Sequence, residues 1–147
     1  MILKVELMKI AVIDGLGGGF GSQIINRIKA EFADKLDIIA LGTNAIATSK
    51  MLQSGANSGA TGENALILNI KYVDLIVGPV GLIIPNSMKG EITTVMAEAI
   101  TSCDAKKIII GMKQPHVKLV GLSKKSLNEL IEDLLVEIRS FVKNENN

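Results

Sequence analysis

The stretch Asp14-Gly15-Leu16-Gly17-Gly18-Gly19-Phe20-Gly21-Ser22 constrains this chain more than any other. Before it stand Ile10, Ala11, Val12 and Ile13, a short apolar run that Asp14-Gly15 stops abruptly. Such a run predicts a buried strand. After it, Phe20, Ile24, Ile25, Ile28 and Phe32 recur at helical spacing, with Asn26, Arg27, Lys29 and Glu31 largely off that face. Residues 9–33 therefore predict a strand, a glycine-rich turn and a helix. Five glycines within seven residues lose much chain entropy on folding. That loss favours a turn shaped for a ligand over a ligand-free connection. Bare backbone lets amides approach a phosphate, and the following helix N-terminus offers free N–H groups and a positive dipole end. Asp14, Gly15, Leu16, Gly17, Gly18, Gly19, Phe20, Gly21 and Ser22 are thus candidate cofactor-binding residues for a nucleotide. Asp14 has two readings: acceptor for the turn's own amides, or a group facing the ligand.

The rest of the chain alternates in the same way. Asp37 to Leu41 predicts a second strand, ending at Gly42-Thr43-Asn44, and a short helix through Lys50 and Leu52 stops at Gly55. Residues 54–64, rich in Gly, Ser, Asn and Thr, predict an ordered loop. Ala65 to Ile70 and Asp74 to Val77 predict the third and fourth strands, Glu91 to Ile100 a helix, and Lys107 to Ile110 a fifth strand. Val117 to Val120 is a candidate sixth strand at an edge. Ser126 and Glu129 have capping-box spacing and open the clearest helix. Its apolar stripe runs through Leu127, Leu130, Ile131, Leu134, Leu135, Ile138, Phe141 and Val142. Strands alternating with helices predict an α/β fold: a three-layer, doubly wound, Rossmann-like domain with a mainly parallel sheet of five or six strands. We read residues 1–147 as one domain. Residues 1–7 are an upstream extension or a lengthening of the first strand, and residues 143–147 are a frayed tail.

The spacing of the glycines narrows the chemistry. Gly15, Gly19 and Gly21 read G-x-x-x-G-x-G, which resembles the turn of the short-chain dehydrogenases. Those enzymes pair a tyrosine with a lysine four residues on. Here the only tyrosine is Tyr72, and Ile76 follows at that offset. A dinucleotide site also carries an acid about 20 residues beyond the turn, which binds the ribose hydroxyls. That place holds Thr43 and Asn44, which bind a ribose or a 2′-phosphate as neutral groups or cap the next helix. NAD specificity is therefore unsupported, and the ligand is left as NAD(P) or another nucleotide.

The stretch from Gly78 to Glu91 faces the glycine turn if the fourth strand lies beside the first. Gly78 and Pro79, at the end of that strand, complete the cofactor-binding set with Thr43 and Asn44. Asn86, Ser87 and Glu91 are the catalytic candidates, with Glu91 read either as a general acid/base or as a helix N-terminal acid. Leu82, Ile83 and Ile84 are too apolar for an exposed loop, so they complete the core or cover a dimer interface. The loop Gly55 to Asn64, with Gly59, Thr61, Gly62, Glu63 and Asn64, concentrates hydrogen-bonding groups at a strand entrance. That is the end away from the ligand unless the loop folds back or serves a neighbouring subunit; the favoured reading is an ordered Asx-type turn.

Composition closes off several classes. Hydrophobic residues make up 48% and aromatic ones 3%, so the core is aliphatic. Sixteen Lys and Arg against 15 acids leave a charge of +1, with no electrostatic footprint for nucleic acid or a membrane surface. No stretch approaches the roughly 20 apolar residues of a membrane span. The early apolar positions, broken by Lys4, Glu6 and Lys9, do not read as a signal peptide. One cysteine, Cys103, fits a cytoplasmic, reducing compartment and reads as a buried or boundary residue. His116 has no metal-ligand pattern around it, so no metal is expected.

Four segments carry a family resemblance: Asp14 to Gly21, Ala40 to Ser49, Gly59 to Ala65 and Gly78 to Thr93. On these the chain resembles a bacterial family of small, uncharacterised, Rossmann-like proteins. The resemblance implies the fold and a shared design of the four loops, and supplies no activity. Three functions remain open: a cytoplasmic nucleotide-binding sensor or accessory module, a small enzyme completed by oligomerisation, and a structural domain without a ligand. The long last helix and the apolar 82–84 segment point to a homodimer.

Overall fold

Ile10 and Val12 point to one face of strand β1 (Met8–Asp14), and Ala11 and Ile13 to the other; all four are fully buried. A strand apolar on both faces belongs inside a sheet covered on both sides. A computed structural model, describing residues 6–145, shows that sheet. Its other strands are β2 (Leu36–Gly42), β3 (Ser58–Thr61), β4 (Leu75–Pro79) and β5 (Lys106–Ile110). They lie in the order β3-β2-β1-β4-β5, and every pairing is parallel.

The helices are α1 (Gly19–Phe32), α2 (Ala45–Gln53), α3 (Glu63–Asn69), α4 (Thr94–Ser102) and α5 (Leu127–Glu145). Ile10, Val12, Ile38 and Val77 pack with Ile24, Ile28, Met51, Leu134 and Ile138 of α1, α2 and α5. Ala11, Ile13, Leu41 and Ile76 pack with Leu66, Met96 and Ile100 of α3 and α4. The three-layer, doubly wound α/β architecture is therefore as expected, with five strands. Ser126 caps α5 through a reciprocal pair: its hydroxyl accepts the Glu129 N–H, and the Glu129 carboxylate accepts the Ser126 N–H.

Four element assignments are corrected. Ala65 to Ile70 is not a strand; it lies mostly in α3. Leu66 and Ile70 are buried while Leu68 is 51% exposed, a spacing of four rather than two. The third strand is Ser58–Thr61, inside the expected loop. It pairs only with β2, and its exposure as an edge removes the apolar signature. Val117 to Val120 forms no strand; Gln114 and Val117 make one isolated bridge. The helix expected from Glu91 begins at Thr94, where the Thr93 hydroxyl accepts the Met96 N–H. Of residues 1–7, the first five lie outside the described residues, and Glu6 and Leu7 precede β1. Helix α5 continues to Glu145, and residues 146–147 of the expected tail also lie outside. No helix among the described residues is long and apolar enough to cross a membrane.

Candidate functional site

The pairing of β1 with both β2 and β4 puts the switch in strand order beside the glycine turn. In open parallel sheets that crevice, beyond the strand carboxyl ends, is where ligands sit. Asp14 ends β1 and is 5% exposed. Its Oδ1 accepts the Gly15 N–H at 2.8 Å and its Oδ2 the Gly21 N–H at 2.7 Å. Asp14 thus braces the turn from behind. Burial pushes its carboxyl above the ordinary 3.8, and the charge of Glu91 adds to the rise; the two amides work the other way without cancelling it. Ser22 turns inward as well, its hydroxyl donating to the Gly19 carbonyl at 2.9 Å.

The glycines divide into two kinds. A Cβ on Gly15 would stand 2.5 Å from Thr43 Oγ1, one on Gly21 would stand 2.6 Å from Met51 Sδ, and one on Gly18 would stand 2.7 Å from Ala47 Cα. Gly18 also takes φ +74°. Packing demands glycine at these three. Gly17 and Gly19 are different: neither has a positive φ. Nothing lies within 4 Å of a Gly17 Cβ, and near a Gly19 Cβ only Lys50 Nζ does, at 3.7 Å. Just before them Leu16, 47% exposed, is held at φ 52°, which costs a non-glycine residue roughly 1–2 kcal/mol.

Thr43 and Asn44 follow β2 and close on the same turn. Asn44 caps α2, its Oδ1 accepting the Ala47 N–H at 2.9 Å, and its Nδ2 donates to the Leu16 carbonyl at 2.8 Å. Both residues also reach Glu91. Its Oε1 accepts from Thr43 Oγ1 at 2.5 Å, from Asn44 Nδ2 at 2.7 Å and from the Leu16 N–H at 3.0 Å. Burial works to raise the Glu91 carboxyl, but these three donors and nearby Lys89 outweigh it and hold the group below its ordinary 4.5. Among the described residues Glu91 Oε2 accepts no hydrogen bond.

The segment that delivers Glu91 is strained. Asn86, Met88 and Lys89 have φ of 65°, 55° and 57°, followed by Gly90 at 88°. Backbone bonds pin it: Asn86 N–H to Ile92 carbonyl at 2.7 Å and Ile92 N–H to Ser87 carbonyl at 3.2 Å, with Ile92 itself fully buried. The Ser87 hydroxyl donates to the Gly81 carbonyl. Asn86 is exposed with no side-chain hydrogen bond among the described residues. Of the expected set, the structure brings the glycine turn, Thr43, Asn44 and Glu91 together, commits Ser87 to its own loop, and buries Gly78 and Pro79 within β4. A Gly78 Cβ would meet Leu82 Cδ1 at 2.4 Å, so that glycine serves core packing.

Sequence reasoning leaves Lys50 out of the site and places Glu63, one of the hydrogen-bonding residues of the 55–64 loop, at the far end of the sheet. Glu63 starts α3 and accepts the Thr93 hydroxyl at 2.5 Å. Gly62 and Glu63 follow β3, so they lie at the carboxyl end of the sheet, the same end as the glycine turn, contrary to the expectation that placed their loop at the far end. The strand at Ser58–Thr61 is what puts Glu63 at that end. A cleft of about 610 Å³ lies at the opposite end, lined by Asp74, Cys103 and Lys106 among others, away from the glycine turn.

Fold and site together define a parallel α/β domain with a glycine-rich turn at the carboxyl end of its first strand. Within that class, residues 9–143 match the family described as a domain of unknown function, DUF3842, and the chain belongs to it. The resemblance read from the four loops to a small uncharacterised family is thereby borne out. No curated protein matches the chain. Among solved structures it is similar to a universal stress protein in complex with cAMP, at 19% identity and a TM-score of 0.42, covering 72% of this chain and 98% of the other. It is also similar to a dodecameric FMN-dependent UbiX-like decarboxylase from Escherichia coli O157:H7, at 12% identity and a TM-score of 0.45, covering 90% and 75%.

Proposed function

We propose that this protein binds the phosphate of a nucleotide, NAD(P) or another adenine nucleotide, on the backbone of Gly17 to Phe20. The observation that carries the reading is the pair Gly17 and Gly19. Their bare α-carbons serve neither packing nor an unusual φ, yet they flank the start of a 14-residue helix beside a lysine. Helix-terminal N–H groups, the dipole and the Lys50 ammonium suit an anion. Binding is favoured over catalysis because the Ser87 hydroxyl is engaged by Gly81, and the donors on Glu91 hold its carboxyl below the ordinary value, which makes it a hydrogen-bond acceptor, a poor general acid and a weak general base. Assembly of copies is supported by the exposed apolar side chains Val120 and Leu122, at 92% and 56%, which follow edge strand β5.

Thermal unfolding against ADP, ATP, NAD, NADP and pyrophosphate tests the reading. A ligand at 100 times its Kd adds about 2.7 kcal/mol. For this size that is a rise of roughly 5–10 °C. Gly19→Val should fold and lose the rise. No rise with any of these ligands removes the proposal.

A further inference from the structure

We propose that Glu91 reads the sugar of the bound nucleotide, accepting a ribose hydroxyl on Oε2, so that the site takes a free 2′,3′-diol and rejects a 2′-phosphate. This rests on the phosphate site proposed above. An acid at the end of the second strand usually does this work. Here that strand ends in the neutral Gly42-Thr43-Asn44. Glu91, 48 residues beyond Thr43, arrives from the other side of the crevice and sets its carboxylate against them.

Three observations point to a ligand-reading group. The carboxylate is fixed between the ends of β1 and β2 by donors from both: the Leu16 N–H, Thr43 Oγ1 and Asn44 Nδ2. All three act on one oxygen, leaving Oε2 without a partner among the described residues. The strained, cross-bonded segment 86–92 holds the arm in place before any ligand arrives. Strain of this kind gathers at binding sites, where it supplies preorganisation.

The charge layout selects the ligand. An ionised carboxylate has only acceptors, so it pairs with hydroxyl donors and repels phosphate. Asp14, the nearby second acid, has both oxygens taken by Gly15 and Gly21, so the pair is not a cation cage. Lys50 stands by Gly19, on the part of the turn proposed for the phosphate. Lys89 is also near Glu91 and helps hold it ionised, and that ionised acceptor with the Lys50 ammonium by Gly19 matches a phosphorylated ribose with free hydroxyls.

Titration calorimetry on the full chain tests this. The wild-type protein should bind ADP at least tenfold tighter than 2′-deoxy-ADP, and NAD at least tenfold tighter than NADP. Glu91→Gln should bring both ratios within about threefold. Glu91→Asp keeps the charge but shortens the arm, and should lose the ADP preference likewise. Far-UV circular dichroism confirms that each variant folds. Unchanged ratios in the variants overturn the inference. So does tighter binding of every nucleotide by Glu91→Gln, which would make Glu91 a plug rather than a reader. Pyrophosphate on the wild-type protein separates the two levels. If it binds and the ratios are flat, only the role of Glu91 falls; if neither it nor any nucleotide binds, the phosphate site falls too.

Discussion

Asp14 Oδ2 accepts the Gly21 N–H at 2.7 Å, so the acid that ends β1 holds down the third residue of α1 from behind. The same carboxylate holds Gly15 through its other oxygen. Of its two readings, the geometry supports the brace. Asp14→Ala removes two buried, charge-assisted hydrogen bonds and leaves both amides without this acceptor. The loss is moderated because the carboxylate is itself costly to bury. We expect a destabilisation of about 2–3 kcal/mol. Urea unfolding measures it, and a change below about 0.5 kcal/mol, the usual range of neutral surface substitutions, contradicts the brace.

The two kinds of glycine make opposite predictions. Gly17→Ala should leave stability within about 0.5 kcal/mol or raise it by up to ~1 kcal/mol, because the unfolded chain loses freedom and nothing clashes. Gly18→Ala should cost about 2 kcal/mol or more, since its Cβ meets the Ala47 backbone and its φ is left-handed. Equal effects on the melting temperature would erase the distinction that supports the phosphate site.

Glu91 gives a pH signature. Its folded carboxyl lies below 4.5, so it contributes stability that is fully present above 4.5 and is lost as pH falls through the lower folded value. Asp14, raised above 3.8, has the opposite sign: the native state gains as pH falls through its raised value. The stability difference between wild type and Glu91→Gln isolates the first effect, together with the relief of Asp14 when its neighbour's charge goes. That difference should shrink as pH drops from 5 towards 3. A difference flat in pH contradicts the hydrogen-bonded, ionised Glu91.

Leu82 is fully buried, whereas Ile83 beside it is 38% exposed. Leu82→Ala should cost about 2–5 kcal/mol, the usual range for a core leucine. Ile83→Ser should cost under about 1 kcal/mol. Denaturant midpoints with equal slopes would check both. Similar losses at the two positions would mean that Ile83 is covered by something else, such as a second copy of the chain.

Much of this protein is determined by sequence alone. The run Ile10–Ile13, the glycines and the Ile24–Ile25–Ile28 stripe specify strand, turn and helix because each signal is local. Spacing and backbone freedom act over a few residues, whatever the rest of the chain does. Short or edge elements lack such signals. Residues 65–70 are apolar enough for a strand or a buried helix, and only packing of Leu66 and Ile70 under the sheet selects the helix. Ser58–Thr61 becomes a strand because β2 offers it an edge. The site shows the same division. The glycine turn and the absence of an acid after β2 are plain in the sequence; Glu91 is legible there as a candidate across from the turn, but not as the carboxylate set against Thr43 and Asn44. Glu91 reaches Thr43 only because β4 docks beside β1 and a strained loop folds back across the crevice, and strand order is a property of the whole core.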